Sequence, residues 1–268
     1  MTEQFHPSPR LAAMIAAAHA GGAVARDGLR HRNAAEVVHK RPRDYQTEVD
    51  VAVERVIVAA LAPHFPDHAI GGEEGADDRE GRGAGELVID PIDGTTNFMW
   101  GMPHFGVVIS LVEAGEVVAG VVYDPMLDET FCAEAGQGAW LNGTRLRLTA
   151  STDAVNAVFG AGLPIPGQVQ SVSEDTYHSA LRRLMDTSAG VRRLGSSALS
   201  TAWVAAGRLD GFFEDMLSLH DYGASMLIVR EAGGLVTDLR GGPVTNPGAI
   251  LAARPGLHDW LLAGFAAG

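Results

Sequence analysis

Residues 87–98 read Leu87-Val88-Ile89-Asp90-Pro91-Ile92-Asp93-Gly94-Thr95-Thr96-Asn97-Phe98. A short apolar run of strand type ends in two acids separated by a Pro-Ile pair, and a small hydroxyl-bearing turn follows at once. Mg²⁺ takes oxygen ligands in octahedral geometry and keeps several waters. Two carboxylates across a proline-stiffened bend can serve neighbouring ions, with one side chain bridging and the Ile92 carbonyl adding an oxygen. Gly94-Thr95-Thr96 reads as the start of a short helix whose N–H groups point at a bound phosphate. Gly94 permits close approach of the ester, and the Thr95 hydroxyl can orient a water. These features together suit two-metal in-line hydrolysis of a phosphate ester.

The bulk properties are compatible with that reading. At 268 residues the chain is long enough for one large domain or two tightly joined ones. Its net charge of −13 disfavours nonspecific binding to nucleic acid or anionic membranes. An anionic substrate therefore needs local positive charge, which bound cations supply. The single cysteine, Cys132, excludes an intrachain disulfide or thiolate cluster and reads as a small buried hydrophobe. The absence of disulfides is compatible with the cytoplasm. The Ala-rich stretch Leu11–Ala25 has a weak positive flank and is too short to span a bilayer, so it is expected to be a core helix.

Helices are expected over Pro9–Gly28, from Thr47 to Pro63 (Val49, Val53, Val56, Ile57 and Ala60 at helical spacing), Glu174–Asp186, Ser196–Ala206, Asp221–Ala232 and from about Gly256. Strands are expected at Ala69-Ile70, Leu87–Asp90, Phe105–Val112, Val117–Tyr123, Trp140-Leu141, Arg145–Leu148, Val155–Gly160, Gly211–Phe213, Leu235–Thr237 and Ile250–Ala252. Glu113–Glu116 and Asn142-Gly143 carry hairpin signals. Residues 75–85 are charged and Gly-rich and read as a mobile loop. The first half, to about residue 150, reads as α+β with a central sheet, and 151–268 as α/β. No linker divides them, so a single domain over 1–268 is expected.

Other acids stand near element ends. Glu73 and Glu74 follow Gly71-Gly72 at a strand exit, and Asp221 opens a helix after His220. Each has a plain alternative. Glu73 can be a solvated turn acid, Asp221 a helix N-cap, and Asp50 with Thr47 a capping box.

The pattern resembles the inositol monophosphatase family. Gly72-Glu73-Glu74 is similar to its GEE motif, and Asp90–Phe98 matches its DPIDGTTNF motif throughout. His220–Ala224 occupies the place of WDxAA, Asp44–Asp50 that of D-x-x-T-x-x-D with Lys40 as the loop lysine, and Gly195–Ala198 that of G-[ST]-A-A. The resemblance spans roughly 38–240. It implies a layered αβαβα sandwich, a homodimer, lithium sensitivity and two to three Mg²⁺ ions. Glu73, Asp90 and the Ile92 carbonyl are expected to hold an activating ion, and Asp90, Asp93 and Asp221 an ion at the leaving group. Glu73 is also expected to touch a third, looser ion, and Asp50 the waters on that ion. Glu73 and Thr95 are expected to position the attacking water, and the Gly94 and Thr95 amides to bind phosphate. Gly195, Ser196, Glu214 and Asp93 are expected to contact the polyol.

His220 stands where the family usually has Trp, while Gly223 and Ser225 replace Ala and Gly. Asp221 is intact, so these changes bear on pocket shape. Trp100 and His104 read as rim or ordinary packing. The expected activity is Mg²⁺-dependent hydrolysis of a small-molecule phosphate monoester, foremost inositol 1-phosphate, with histidinol phosphate and fructose 1,6-bisphosphate as alternatives. Branches acting on histidinol phosphate or 3′-phosphonucleotides more often carry Lys where this chain has Thr96. Some bacterial members of the family are RNA-processing or antitermination factors, which gives the alternative of another class. No nucleic-acid or membrane partner is expected.

Overall fold

The run Gly106–Glu113 alternates as a strand must. Val107, Ile109 and Leu111 enter one core, and Val108 enters another. A strand buried on both faces has to lie between two layers, and the remaining elements supply them.

The computed structural model describes residues 4–31, 37–41 and 44–266, with the strand residues among 37–46 described by backbone alone. The side chains of Lys40 and Asp44 therefore lie outside the described part. The chain opens with α1 (Pro9–His31), an antiparallel pair β1 (Val37–Arg41) and β2 (Asp44–Thr47), and α2 (Glu48–Leu61). A seven-stranded sheet follows in chain order: β3 (Ala69–Gly72), β4 (Glu86–Asp93), β5 (Gly106–Glu113), β6 (Glu116–Asp124), β7 (Glu129–Glu134), β8 (Gly138–Leu141) and β9 (Thr144–Arg145). The six-residue α3 (Thr95–Trp100) lies between β4 and β5. The β3–β4 pair is parallel and the other neighbours are antiparallel. The second half contributes β10 (Val158–Ala161), α4 (Glu174–Thr187), β11 (Gly190–Arg192), α5 (Ser197–Ala205), β12 (Gly211–Leu217), α6 (Leu219–Glu231), β13 (Leu235–Thr237), β14 (Gly248–Ala253) and α7 (His258–Leu262). Its five strands are ordered β11-β10-β12-β14-β13.

Three cores fix the layering. The first lies between α1/α2 and one face of the large sheet, the second joins the other face to α5, α6 and the small sheet, and the third lies between the small sheet and α4/α7. The order α1/α2, large sheet, α5/α6, small sheet, α4/α7 is the αβαβα sandwich expected above. Helices α5 and α6 belong to the second half of the sequence yet cover the sheet of the first. Cys132 is buried in the first core, which pushes its thiol up to about 12.

Both hairpin signals hold. Ala114-Gly115 and Asn142-Gly143 have positive φ at both turn positions, the I′ pattern that matches strand twist. Several boundaries differ. Helix α1 runs on to His31, and β10 starts at Val158 rather than Val155. The expected strand Arg145–Leu148 leaves the sheet after Arg145, because the Leu148 N–H donates to the Ala232 carbonyl (2.8 Å) at the end of α6. Strand β7 showed no alternation to read, since four consecutive residues, Thr130–Ala133, are buried as it pairs with β6 and β8. The 75–85 segment is fastened by Arg79, which bridges Ile70 and donates to the Ala62 and Pro66 carbonyls at 3.0 and 2.6 Å. Among the described residues no helix is long and apolar enough to cross a membrane.

Helix α6 lies very close to β6. A Cβ on Gly120 would come within 2.6 Å of the Ala224 Cα, a backbone atom that cannot step aside. Likewise a Cβ on Gly223 would meet Ser110 Oγ at 2.7 Å, which accounts for Gly at that position in this chain. Gly120→Ala is expected to destabilise the protein by about 1–3 kcal/mol through overpacking. Urea unfolding checks this, and an unchanged midpoint would show that α6 can shift without cost.

Candidate active site

In a regular strand Asp90 and Asp93 would point to opposite faces, being an odd number of residues apart. Pro91 cannot donate to the ladder, and the β4–β5 register shifts between Asp90 and Asp93. The Ile92 N–H instead donates to Asp90 Oδ1 at 2.9 Å. This bulge turns both acids the same way. Asp90, Asp93 and Asp221 each bring a carboxylate oxygen within 4.8 Å of the others. Glu73 arrives by strand pairing. Gly72 is opposite Ile89 in the parallel β3–β4 register, and the Glu73 N–H donates to the Ile89 carbonyl (3.0 Å), which sets Glu73 beside Asp90. Its own side chain is solvent-exposed, outside the three-acid cluster, but near enough to raise the Asp90 pKa.

Three of the acids sit at helix N-termini, where the macrodipole and free N–H groups favour negative charge. Asp93 accepts from the Ser196 hydroxyl, the Ser197 N–H (3.3 Å), the Ser197 hydroxyl (3.3 Å) and the Ala198 N–H (2.8 Å) at the start of α5. Asp50 caps α2 with Thr47, as the capping-box reading has it: the Thr47 N–H donates to Asp50 Oδ2 at 2.9 Å, and the Thr47 hydroxyl donates to the same oxygen. Asp221 plays the matching part in α6. It is not the N-cap; that place belongs to Ser218, whose N–H and hydroxyl donate to Asp221 Oδ2 at 2.6 and 2.8 Å. Ser218, three residues before an acid, was the readable signal for this.

Desolvation dominates the electrostatics. Burial, then the charges of Glu73, Asp93, Asp221 and Asp50, hold the Asp90 carboxyl well above the usual range. Burial and Asp221 push Asp93 up to about 6 against the pull of the α5 donors, and burial likewise pushes Asp50 up to about 6. Burial also raises Asp221, which Ser218 and the neighbouring His220 partly offset. These groups share one complaint, too much negative charge in too little water, and a hard divalent cation answers it. The all-oxygen donor set fits Mg²⁺ rather than a thiophilic metal.

The turn beside the acids follows the sequence reading. Gly94 caps α3 with φ 100°, and no side chain bonds to the cap. A Cβ there would come within 3.0 Å of the Gly195 carbonyl, so the Gly195-Ser196 turn packs on it directly. Asn97 ties the two segments, donating to the His104 and Leu194 carbonyls at 2.7 Å each. Sequence reasoning gave Asn97 no task, although it lies inside the motif. Thr95 donates its hydroxyl proton to the Ile92 carbonyl (3.1 Å), which leaves its lone pairs free to accept from a water.

Ser196 is buried, with its hydroxyl held by Asp93, so it bears on a substrate through Asp93; Gly195 is half-buried. Glu214 projects from β12 over Gly162, where a Cβ would lie 2.5 Å from its Cγ, and burial with Asp221 and Asp93 pushes it up to about 8. The next residue, Asp215, faces the other way and anchors the Gln170 and Ser171 N–H groups. His220 is half-buried with Nδ1 3.3 Å from Ser218 Oγ. The His104 ring packs edge-on to Trp203, and Trp100 is 61% exposed.

A pH effect follows. A carboxyl with a folded pKa above its unfolded value keeps its proton longer in the folded state, so it withdraws stability as pH rises between the two values. For Asp93 and Asp50 that window runs from 3.8 to about 6. The metal-free chain is therefore expected to lose stability from these groups across the window. Mg²⁺ needs the ionised ligands, so its gain in Tm over EDTA should be larger at pH 7.5 than at pH 5. Thermal unfolding in both buffers tests this, and an equal gain at the two pH values would count against the cluster as a cation site.

The model of the inositol monophosphatase family matches residues 6–267. A protein of Pseudomonas aeruginosa named Nus factor SuhB is 44% identical over 236 residues, 87% of this chain and 86% of that one. The inositol-1-monophosphatase of Rhizobium meliloti is 43% identical over 223 residues, 83% and 82% of the two chains. Among solved structures, the extragenic suppressor protein SuhB of Bartonella henselae superposes with a TM-score of 0.90 at 36% identity, covering 97% of this chain and all of that one. An inositol monophosphatase (IMPase) of Thermotoga maritima superposes with a TM-score of 0.85 at 32% identity, covering 97% of each. Fold, acidic cluster and near full-length match agree: the chain belongs to the inositol monophosphatase family.

Proposed function

We propose that the protein is a Mg²⁺-dependent phosphomonoesterase whose substrate is a small polyol phosphate, foremost inositol 1-phosphate. The observation that carries this reading is the convergence of Asp90, Asp93 and Asp221 within 4.8 Å beside the Gly94–Thr95 turn. Glu73, Asp90 and the Ile92 carbonyl would hold one ion, and Asp90, Asp93 and Asp221 a second. Glu73 and, through water, Asp50 would serve a looser third. Bound there, Mg²⁺ supplies a Lewis acid that favours ionised water and a counter-charge for the leaving oxygen. The chain's own residues do the rest. Thr95, its proton committed to Ile92, would accept a hydrogen bond from the attacking water, and Glu73 would help to position that water. The Gly94 and Thr95 amides orient the phosphate for in-line displacement. Glu214 and Gly195 hold the polyol hydroxyls.

Thr96 supports inositol 1-phosphate over histidinol phosphate or a 3′-phosphonucleotide, Glu214 supports a polyol, and the names of the Rhizobium relative and the Thermotoga structure point the same way. A homodimer and a cytoplasmic setting belong to the same proposal. A second reading has one specific support, the Nus factor name borne by the Pseudomonas relative. In that reading the chain also joins a transcription complex, with hydrolysis retained.

A phosphate-release screen with Mg²⁺ should rank inositol 1-phosphate above histidinol phosphate, fructose 1,6-bisphosphate and a 3′-phosphonucleotide; another order would reassign the substrate. Asp93→Asn should cut turnover by roughly 10²–10³-fold or more while the circular dichroism spectrum stays native. Near-native turnover in this variant would refute the mechanism. Glu214→Ala should raise KM for inositol 1-phosphate more than for an aryl phosphate, and equal effects would remove Glu214 from the polyol pocket. The Nus reading predicts capture of RNA polymerase or ribosomal components by the tagged protein, and their absence argues against it.

A further inference from the structure

Helix α2 carries a second buried acid one turn after Asp50. Residues four apart share a helix face, so Asp50 and Glu54 project toward the same region. Glu54 is wholly buried. Its carboxylate accepts from the Glu74 N–H at 2.8 Å and from the Ala76 N–H at 2.5 Å. The Gly72 N–H donates to Asp78 (3.0 Å), the Glu73 N–H to the Ile89 carbonyl (3.0 Å) and the Gly75 N–H to the Gly72 carbonyl (3.3 Å). Every N–H from Gly72 to Ala76 is thus bonded, and one side chain from another element supplies two of the bonds. The fit is close: a Cβ on Gly72 would lie 1.9 Å from the Glu54 carboxyl carbon. Glycine is required at position 72 because the Glu54 carboxylate fills the space a side chain would use.

We propose that Glu54 is a positioning residue whose carboxylate grips the backbone of residues 74–76 and thereby sets the Glu73 side chain beside Asp90 for metal binding. The proposal rests on the reading of Glu73 as a metal ligand. Pairing to Ile89 fixes only where the Glu73 backbone enters the site. The direction of its side chain depends on how the chain turns immediately afterwards, and the Glu54 bonds set that turn. Partners behind metal ligands orient them in this way, and their loss commonly costs 10–100-fold in affinity.

The test is a double-mutant cycle read by direct metal binding, using Mn²⁺ alone as the probe and its free-ion electron paramagnetic resonance signal as the readout. Glu54→Gln keeps the size of the side chain but sets an NH₂ group against one of the two N–H donors. It should weaken Mn²⁺ binding about tenfold and add nothing further in a Glu73→Gln background. Gly72→Ala, which alters no ligand, should reproduce the loss and serves in place of Glu54→Gln if that variant does not fold. Native Mn²⁺ affinity in both Glu54→Gln and Gly72→Ala would overturn the proposal. So would an equal loss with and without Glu73, since general damage to the fold does not depend on which residue the loop presents. Failure of the hydrolase reading shows separately, as native metal binding without phosphate release.

Discussion

The structure is organised around a repulsion. Asp90, Asp93 and Asp221 converge at the end of a buried strand, with Glu73, Asp50 and Glu214 close enough to act on them or be acted on. Left to themselves these groups would separate or take up protons. The fold holds them by setting Asp93, Asp221 and Asp50 at the N-termini of α5, α6 and α2, where N–H groups and hydroxyls stabilise carboxylate charge. Those bonds fix the oxygens in place without neutralising them, and the charge left over suits a divalent cation.

The layering serves the same end. Three helices aim their N-termini at one strand end, approaching from both sides of the sheet. Helix α2 comes from one face, and α5 and α6 lie on the other, between the two sheets. The close approach of α6 to β6 at Gly120 and of α6 to β5 at Gly223 and Ser110 sets the height at which Asp221 enters. The halves of the sequence therefore cannot be assigned separate tasks: the first supplies Asp90 and Asp93, and the second supplies Asp221 and the helix that binds Asp93.

The Asp90–Phe98 stretch was legible because local chemistry dictates it. Proline breaks the ladder, glycine admits a left-handed turn, and the Ile92 N–H and Thr95 hydroxyl find partners within three residues. Thr47 with Asp50 was legible for the same reason. Where partners are distant in sequence, the signal fails. Nothing local in Ser196 says that its hydroxyl is held by Asp93, 103 residues away. Strand β7 was missed for another reason: its middle four residues are all buried, so it lacks the alternation that marks a half-buried strand. Nothing local marks Glu54 either, since its partners lie 20 and 22 residues on, across a turn and a strand.

By itself, the sequence determined the chemistry: acids at element ends beside a phosphate-type turn, in a chain whose first half reads as α+β with a central sheet and whose second half reads as α/β. Those are properties of residue type and spacing, set within a few residues of chain. Only the tertiary structure decided which acids meet, which stand back and what holds each one. The β4 bulge turns Asp93 toward Asp90, α6 brings Asp221 to them, and Glu73 remains exposed beside the cluster. The reason is physical. Carboxylates of like charge cannot assemble themselves, so their arrangement is settled by packing and helix ends contributed from distant parts of the chain.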